Sequence, residues 1–584
     1  MNPNNVNHFA SAAVGVNRKR SKFNRNSKVL TSMNCGFLYP LYVDEVLPGD
    51  NFKVKANAVI RMPTPPKVPV MDNAYLDVYA FFVPNRLVWD HWKEFMGEVV
   101  GGYWTNQTQY QVPQISFTSS RATPSGSNAN VVSGGDILSY LGVPRLQGLN
   151  GSISVSALPV RAYCKICNDW FWDENVQLPI NIDTGDLTVN YSYNGNIVAN
   201  AYVANATTGG DLFPVNKFKD YFTSCLPAPQ RGGTVSFPFL SSVPVVTGNI
   251  RTISPSLTNQ YTPIHYSFLN FANPNALYTN TGNYMGTSTY SSSTSVTGGA
   301  GVATTQSGSS NPPAYLVPDN LWADMSTATA ITVNQLRMAF QTQKYLETLA
   351  RGGSRYIEQL YSLFGVSASD KTLQRSQYLG GKRFPIQMAQ VAQTSATVSG
   401  QTPQANVSAF SLTGFANEVL ANSFFEEHGY FMIVGCIRVD NSYSQGIEKM
   451  WFRKDRLDYY APVFANLGEQ PVYNKEIFVT GNSASDDGVF GYQEAWAEYR
   501  YKPNKLTSAF YNDYSLTNAF SMWNYSQRFT SLPVLSSAFL QADETTIGQT
   551  MAQSDIQFIV DLYVENESVR VMPMYSVPGL IDHA

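Results

Sequence analysis

The chain has 584 residues, of which 43% are hydrophobic, 13% aromatic and only 14% charged, with a formal net charge of −3. No apolar run approaches the ~18 residues of a membrane span, and MNPNNVNHFASAAVG lacks the basic start and apolar core of a signal peptide. Five cysteines without framework spacing argue for reduced thiols, so membrane-spanning, exported and disulfide-stapled classes are set aside.

Charge this far below the usual ~25% leaves a neutral polar surface of Asn, Ser, Thr, Gln and Tyr. With 35 Tyr and 33 Phe, that surface suits contact with other protein copies, although a secreted carbohydrate-binding β protein looks similar. A prior of ~100–200 residues per domain allows several domains, but a large β-sandwich with long insertions breaks that prior.

Residues 1–31 are polar and aperiodic, and Arg18, Lys19, Arg20, Lys22, Arg25 and Lys28 crowd together there. Such an arm is either a solvated tail or an electrostatic handle for nucleic acid. In a chain so poor in charge, the handle is the preferred reading. A β region follows at 37–46. In FKVKANAVIR, Phe52, Val54, Ala56, Ala58 and Ile60 share one face of a strand. RMPTPPKVPV can be neither helix nor central strand.

Tyr75–Val83 is another strand, stopped by Pro84, and Arg86–Met96 has helical spacing with Gly97 as its stop. His91 in that helix reads as a packed or partly exposed group, since no nucleophile or metal partner stands near it. Residues 158–175 suit a helix carrying Cys164 and Cys167. Structural zinc needs four ligands and no second pair follows, so two buried small apolar residues is the better reading.

Residues 181–215 are β-like, and Lys217–Cys225 is turn-like or helical. From Thr252 to Pro318 there is no Asp, Glu, Lys or Arg, while Tyr261, Tyr266, Tyr278, Tyr284 and Tyr290 recur among Ser, Thr, Asn and Gly. That composition makes adaptable recognition surfaces, so an exposed binding protrusion is favoured over a flexible linker. Thr332–Arg351 is the best helix, with Thr332 and Gln335 as a capping box and Gly352 as its C-cap. A shorter helix spans 355–364.

YFMIVGCIRV at 430–439 is apolar on both faces, as a central buried strand is. Near the end, DIQFIVDLYVE at 555–565 alternates Ile556, Phe558, Val560, Leu562 and Val564 with Asp555, Gln557, Asp561 and Glu565. A late strand with one apolar face must pair with strands made long before it. The strand at 52–61 is the partner proposed, because first-to-last pairing is how a jelly roll avoids long exposed edges.

Signals for chemistry are absent. No phosphate-binding glycine loop, nucleophile elbow or H-E-x-x-H occurs. Glu426, Glu427 and His428 read as a strand-entry turn, and Asp486 and Asp487 before Gly488 as another.

The stretches PNRLVWDHWKEFMGE, SKVLTSMNCGFLYPLYVDEVLPGD, KFKDYFTSCLPAPQ, VNQLRMAFQTQKYLETLARGGSRYIEQL, EEHGYFMIVGCIRVD, FGYQEAWAEYRYKP and MPMYSVPGLIDHA together resemble the major capsid proteins of gokushoviruses, small single-stranded DNA phages of the microvirus family. They span the chain in family order. The resemblance implies a mainly β protein: an eight-stranded viral jelly-roll β-sandwich with long inter-strand insertions, at about 84–175, 181–215, 240–318 and 331–364. It also implies a T=1 icosahedral shell of about sixty copies around a circular single-stranded DNA genome.

Partners implied are copies of itself, DNA pilot or scaffolding proteins and a bacterial surface receptor, with no membrane insertion, cofactor, metal or catalytic residue. In that setting the six basic residues of the arm become the DNA-binding set. The uncharged stretch with its five tyrosines becomes the protrusion for host attachment. A secreted or surface-layer carbohydrate-binding β-sandwich is the alternative reading.

Overall fold

The computed structural model describes residues 19–64, 66–68, 70–98, 108–118, 136–144, 151–192, 206–233, 235, 245–247, 266–269, 277–278, 315–318, 321–323, 333–353, 355–386, 389–392, 407–414, 419–510, 519–551 and 556–575. The chain divides into two units, one of 1–232 with 345–584 and one of 233–344.

The first unit is built on ten strands: β1 Ser21–Asn24, β2 Ser27–Met33, β3 Phe37–Val46, β4 Asn51–Arg61, β5 Ala74–Pro84, β6 Gln377–Ile386, β7 Val407–Gly414, β8 Val419–Phe424, β9 Gly429–Val439 and β10 Phe558–Arg570. Together with the edge strands Ala389–Ala392, beside β7, and Phe213–Pro214, beside β3, they form two antiparallel sheets. In one, β10 lies between β4 and the two short strands β1 and β2, while β7 and β8 share the far side of β4. In the other the order is β6, β5, β9, β3.

The first-to-last pairing expected from the sequence is present. Val560 lies across from Ile60, Leu562 from Ala58 and Val564 from Ala56. Alternation explains it: Phe52, Val54, Ala56, Ala58 and Ile60 are buried, as are Phe558, Val560, Leu562 and Val564. The two sheets bury these faces against each other. Phe52 of β4, for example, meets Phe431 of β9 edge to face at 5.9 Å between ring centres. β9 is buried along most of its length between β5 and β3, as a strand apolar on both faces must be.

Differences at the ends of elements have local causes. The last strand begins at Phe558 and runs on to Arg570. Gln557, expected outward, is buried: its side chain accepts the Cys35 N–H at 2.8 Å, and its own N–H donates to Asn34 at 3.0 Å. The helix expected at 86–96 is a 3-10 turn at Asn85–Leu87 and a single helical turn at Trp92–Phe95. There the Asp90 N–H donates to the Thr184 carbonyl at 3.0 Å, so a tertiary bond replaces an intrahelical one, while the Trp89 N–H still donates to the Asn85 carbonyl and its indole Nε1 to Asp186 at 2.7 Å. Gly97, with φ of 103°, follows as the stop.

The helix expected at 158–175 is α1, Leu158–Ile166, continued by a π-helical turn at Cys167–Phe171. Cys164 and Cys167 are free and fully buried on it. Further on are α2, Val333–Arg351, and α3, Tyr356–Phe364. The left-handed glycine after α2 is Gly353, with φ of 100°, rather than Gly352. Thr332 lies outside the described residues.

Within the second unit, Val245–Thr247 pairs with Leu321–Ala323, and Tyr266–Leu269 lies between Leu277–Tyr278 and Tyr315–Pro318, all antiparallel. Part of the uncharged stretch is therefore sheet.

Candidate nucleic-acid interface

The arm read from the sequence as aperiodic to residue 31 is strand from Ser21 onward. β1 and β2 lie end to end along β10, with Lys22 across from Val569 and Lys28 across from Tyr563. A period of two therefore sends Lys22 and Lys28 to the outer face of that sheet. The same face carries Asp561, Glu565 and Glu567 of β10 and Lys53, Lys55 and Arg61 of β4; Glu565 stands across from Lys55 and Glu567 from Lys53.

Charges on this face are partly matched. Lys22 Nζ lies 3.0 Å from Glu567, Lys28 Nζ 2.8 Å from Asp561 and Lys55 Nζ 3.9 Å from Glu565. The hydrogen bond from Lys22 holds the Glu567 carboxyl below its ordinary range. Exposed pairs of this kind are weak and screened by salt, so a phosphate can displace such a carboxylate at little cost. Lys19 and Arg20 are exposed, and the Arg20 guanidinium stands 5.4 Å from the centre of the half-exposed Phe424 ring.

Arg25 behaves differently. It reaches into the sandwich and grips the buried Asp44 with both guanidinium nitrogens, one at 2.8 Å, while its backbone N–H donates to the Asn566 carbonyl at 2.8 Å. Arg570 approaches the same pocket, 3.3 Å from Asp50. Arg25 thus ties the arm to β3. Phe23, across from Ser568, sits on the half-buried inner side and not among the outward cations. Arg18 lies outside the described residues.

Of the five tyrosines of the uncharged stretch, Tyr266 and Tyr278 fall on strands of the second unit. Tyr261, Tyr284 and Tyr290 lie outside the described residues. The sequence reading missed the carboxylates that answer the arm, although Asp561, Glu565 and Glu567 share one period-two face of the last strand. Charge alternation there was the available signal.

Elsewhere the polar groups that could suggest chemistry have structural partners. Glu427 takes a fork of hydrogen bonds from Arg86, at 2.7 and 3.1 Å, and Glu426 pairs with Lys371. His91 stacks on Tyr110 at 4.2 Å, with Nδ1 3.0 Å from Asp186. Asp486 accepts the backbone N–H groups of Thr480 and Gly481. Burial pushes the Cys164 thiol up to about 12, far from a metal-binding thiolate. Among the described residues no group of three or more His, Cys, Asp or Glu could hold a metal ion. No described helix is long and apolar enough to cross a membrane.

Comparison with known proteins covers nearly the whole chain. Residues 11–580 match the family described as Capsid protein (F protein). The chain is 36% identical to Capsid protein VP1 of Spiroplasma virus 4, over 98% of its own length and 97% of the relative's. It is 35% identical to Capsid protein VP1 of Chlamydia phage 1, covering 98% of each chain, and 35% identical to that of Bdellovibrio phage phiMH2K, covering 98% and 97%.

Proposed function

Since this chain belongs to the phage capsid protein (F protein) family and is a structural protein of the virion, not an enzyme, we propose that its copies close into a T=1 icosahedral shell. About sixty of them enclose a circular single-stranded DNA genome, because icosahedral closure fixes the copy number. The observation that carries this reading is similarity over residues 11–580, which spans sandwich and insertions alike.

Strand order supports the jelly-roll reading. Taking β7 and β8 together, the sheets run β2, β10, β4, β7/β8 and β3, β9, β5, β6, so strands alternate between sheets along β2–β5 and again along β6–β10, β5 and β6 pair within one sheet, and the last strand returns beside the first, as in a double Greek key. The chain leaves this frame after Pro84 and re-enters it at Gln377, and leaves again between Val439 and Phe558. Insertions fill both gaps.

The outer face of the β10 sheet is the genome-facing surface in this proposal. Arg18, Lys19, Arg20, Lys22 and Lys28 take phosphates there, with Lys53 and Arg61 alongside. Phosphate contacts of this type position the strand without reading its bases. Residues 240–318, with Tyr261, Tyr266, Tyr278, Tyr284 and Tyr290, form the protrusion that meets the bacterial surface receptor. DNA pilot or scaffolding proteins complete the particle. Electron microscopy of protein purified from phage-producing cells tests the shell: closed particles are expected, and isolated monomers as the sole species would overturn it.

A further inference from the structure

Residues 447–467 hold Glu448, Arg453 and several backbone groups against the protein while exposing a run of large apolar side chains. The segment has no strand and no α-helix, only 3-10 turns at Lys449–Phe452, Arg456–Asp458 and Pro462–Phe464. It is nonetheless firmly held. Glu448 takes Lys505 at 2.7 Å and Lys502 at 3.3 Å. Arg453 pairs with Glu498 at 2.9 Å and lies over the Tyr499 ring at 4.4 Å. Trp496 Nε1 donates to the Phe464 carbonyl at 3.1 Å, and the Ile447 N–H to the Lys475 carbonyl at 2.9 Å.

Beside the exposed charges of Lys454, Asp455, Arg456 and Asp458, the segment exposes large apolar side chains. Val463 is 88% exposed, Trp451 72% and Leu457 64%, with Met450, Tyr459 and Tyr460 exposed beside them in sequence. Their exposed area is on the order of 700 Å², close to the ~800 Å² each partner gives to a standard interface and beyond what single scattered residues supply. Trp, Tyr, Met and Arg are also the residue types enriched in such contacts.

We propose that the apolar face of residues 447–467 docks on a second copy of this chain in the shell. This rests on the family's shell-forming role, not on the genome-binding reading of the arm. Charge selects the occupant: Lys454 and Arg456 are matched by Asp455 and Asp458 within the same five residues, so the face offers no net charge to a phosphate backbone. The Asp458 carboxylate is further occupied by the N–H groups of Lys454 and Asp455, at 2.8 and 2.9 Å. A firmly held segment whose charges balance and whose large apolar side chains stand exposed is suited to a protein surface of equally low charge, which this chain itself supplies.

Photo-crosslinking identifies the occupant. The full chain is made with p-benzoylphenylalanine in place of Trp451, and separately in place of Val463, and irradiated in purified particles. An adduct of twice the chain mass is expected from both. An adduct to DNA or to another virion protein, or no adduct in well-formed particles, would overturn the proposal. Because either bulky group could itself block assembly, a Leu457→Gln/Val463→Asn variant is measured in parallel. Its particle yield is expected to fall about tenfold or more, the effect of ~1.4 kcal/mol at the contact, while the monomer keeps its circular dichroism and melting temperature. Wild-type yield would overturn the proposal. Failure of the wild-type chain to form particles would instead overturn the shell reading itself.

Discussion

Leu562 on the last strand stands directly across from Ala58 on the fourth, both fully buried, with some five hundred residues of chain between them. The sandwich therefore closes only when the end of the chain arrives. Leu562→Ala is expected to destabilise the folded subunit by ~2–5 kcal/mol, the range for a large buried side chain reduced to Ala. Denaturant unfolding of the two proteins measures it. A change within ~0.5 kcal/mol would mean that this pairing does not hold the core.

Glu544 sets a pH dependence. Burial, and then the charge of Asp543, push its carboxyl up to about 7, against a hydrogen bond from Asn34, and its Oε2 is buried without a partner. The unfolded chain releases this proton near its ordinary value of 4.5 while the folded chain still holds it. The stabilising contribution is therefore complete below that value and lost as pH rises through about 7, at no more than about 1.4 kcal/mol per pH unit. Glu544→Gln, which resembles the protonated acid, should flatten stability between pH 5 and 8 and raise it at the alkaline end. Melting temperatures across that range decide; an unchanged slope contradicts the assignment.

The arm cations divide by what they already hold. Lys22 and Lys28 sit in exposed pairs that phosphate can replace, while Arg25 is committed to buried Asp44. Five phosphate contacts, from Arg18, Lys19, Arg20, Lys22 and Lys28, give a log–log salt slope of about −3.5 at ~0.7 per contact on a single strand. Lys22→Gln and Lys28→Gln should each reduce it by ~0.7, whereas Arg25→Gln should lower stability and leave the slope alone. Filter binding to a homopolymeric single strand measures all three, and a slope that falls only with Arg25→Gln would reverse the division. In particles, changing Arg18, Lys19, Arg20, Lys22 and Lys28 together to Gln should reduce packaged DNA while shells still form.

Replacing residues 255–315 with a short Gly/Ser linker should leave the two sandwich sheets folded, since loop closure changes by only ~0.6 kcal/mol per doubling of length. All ten sandwich strands lie outside the unit of residues 233–344. Host attachment is the function expected to fall most. Loss of cooperative unfolding in the truncated chain would show that the stretch belongs to the core.

Much of the sandwich is legible in the sequence because period-two alternation in 52–61 and 555–565 marks the buried face of each strand and suggests their pairing. The continuous apolar run at 430–439 likewise marks a central strand. Pattern fails where tertiary bonds outweigh it. Residues 86–96 carry helical spacing, yet the Thr184 carbonyl takes the Asp90 N–H and breaks the helix. In the arm, the cations are visible and their placement is not. Strands of four and seven residues with polar alternation, SKFN and SKVLTSM, look like loop until β10 supplies the ladder. The acids facing them are more than five hundred residues away in sequence, beyond the reach of any local reading.

A closed shell of this one chain is tested most directly by particle mass. Mass photometry of DNA-free particles from lysed phage-producing cells should show a species about sixty times the 64.6 kDa chain, the number icosahedral closure requires. A stable 64.6 kDa monomer as the only species would contradict it.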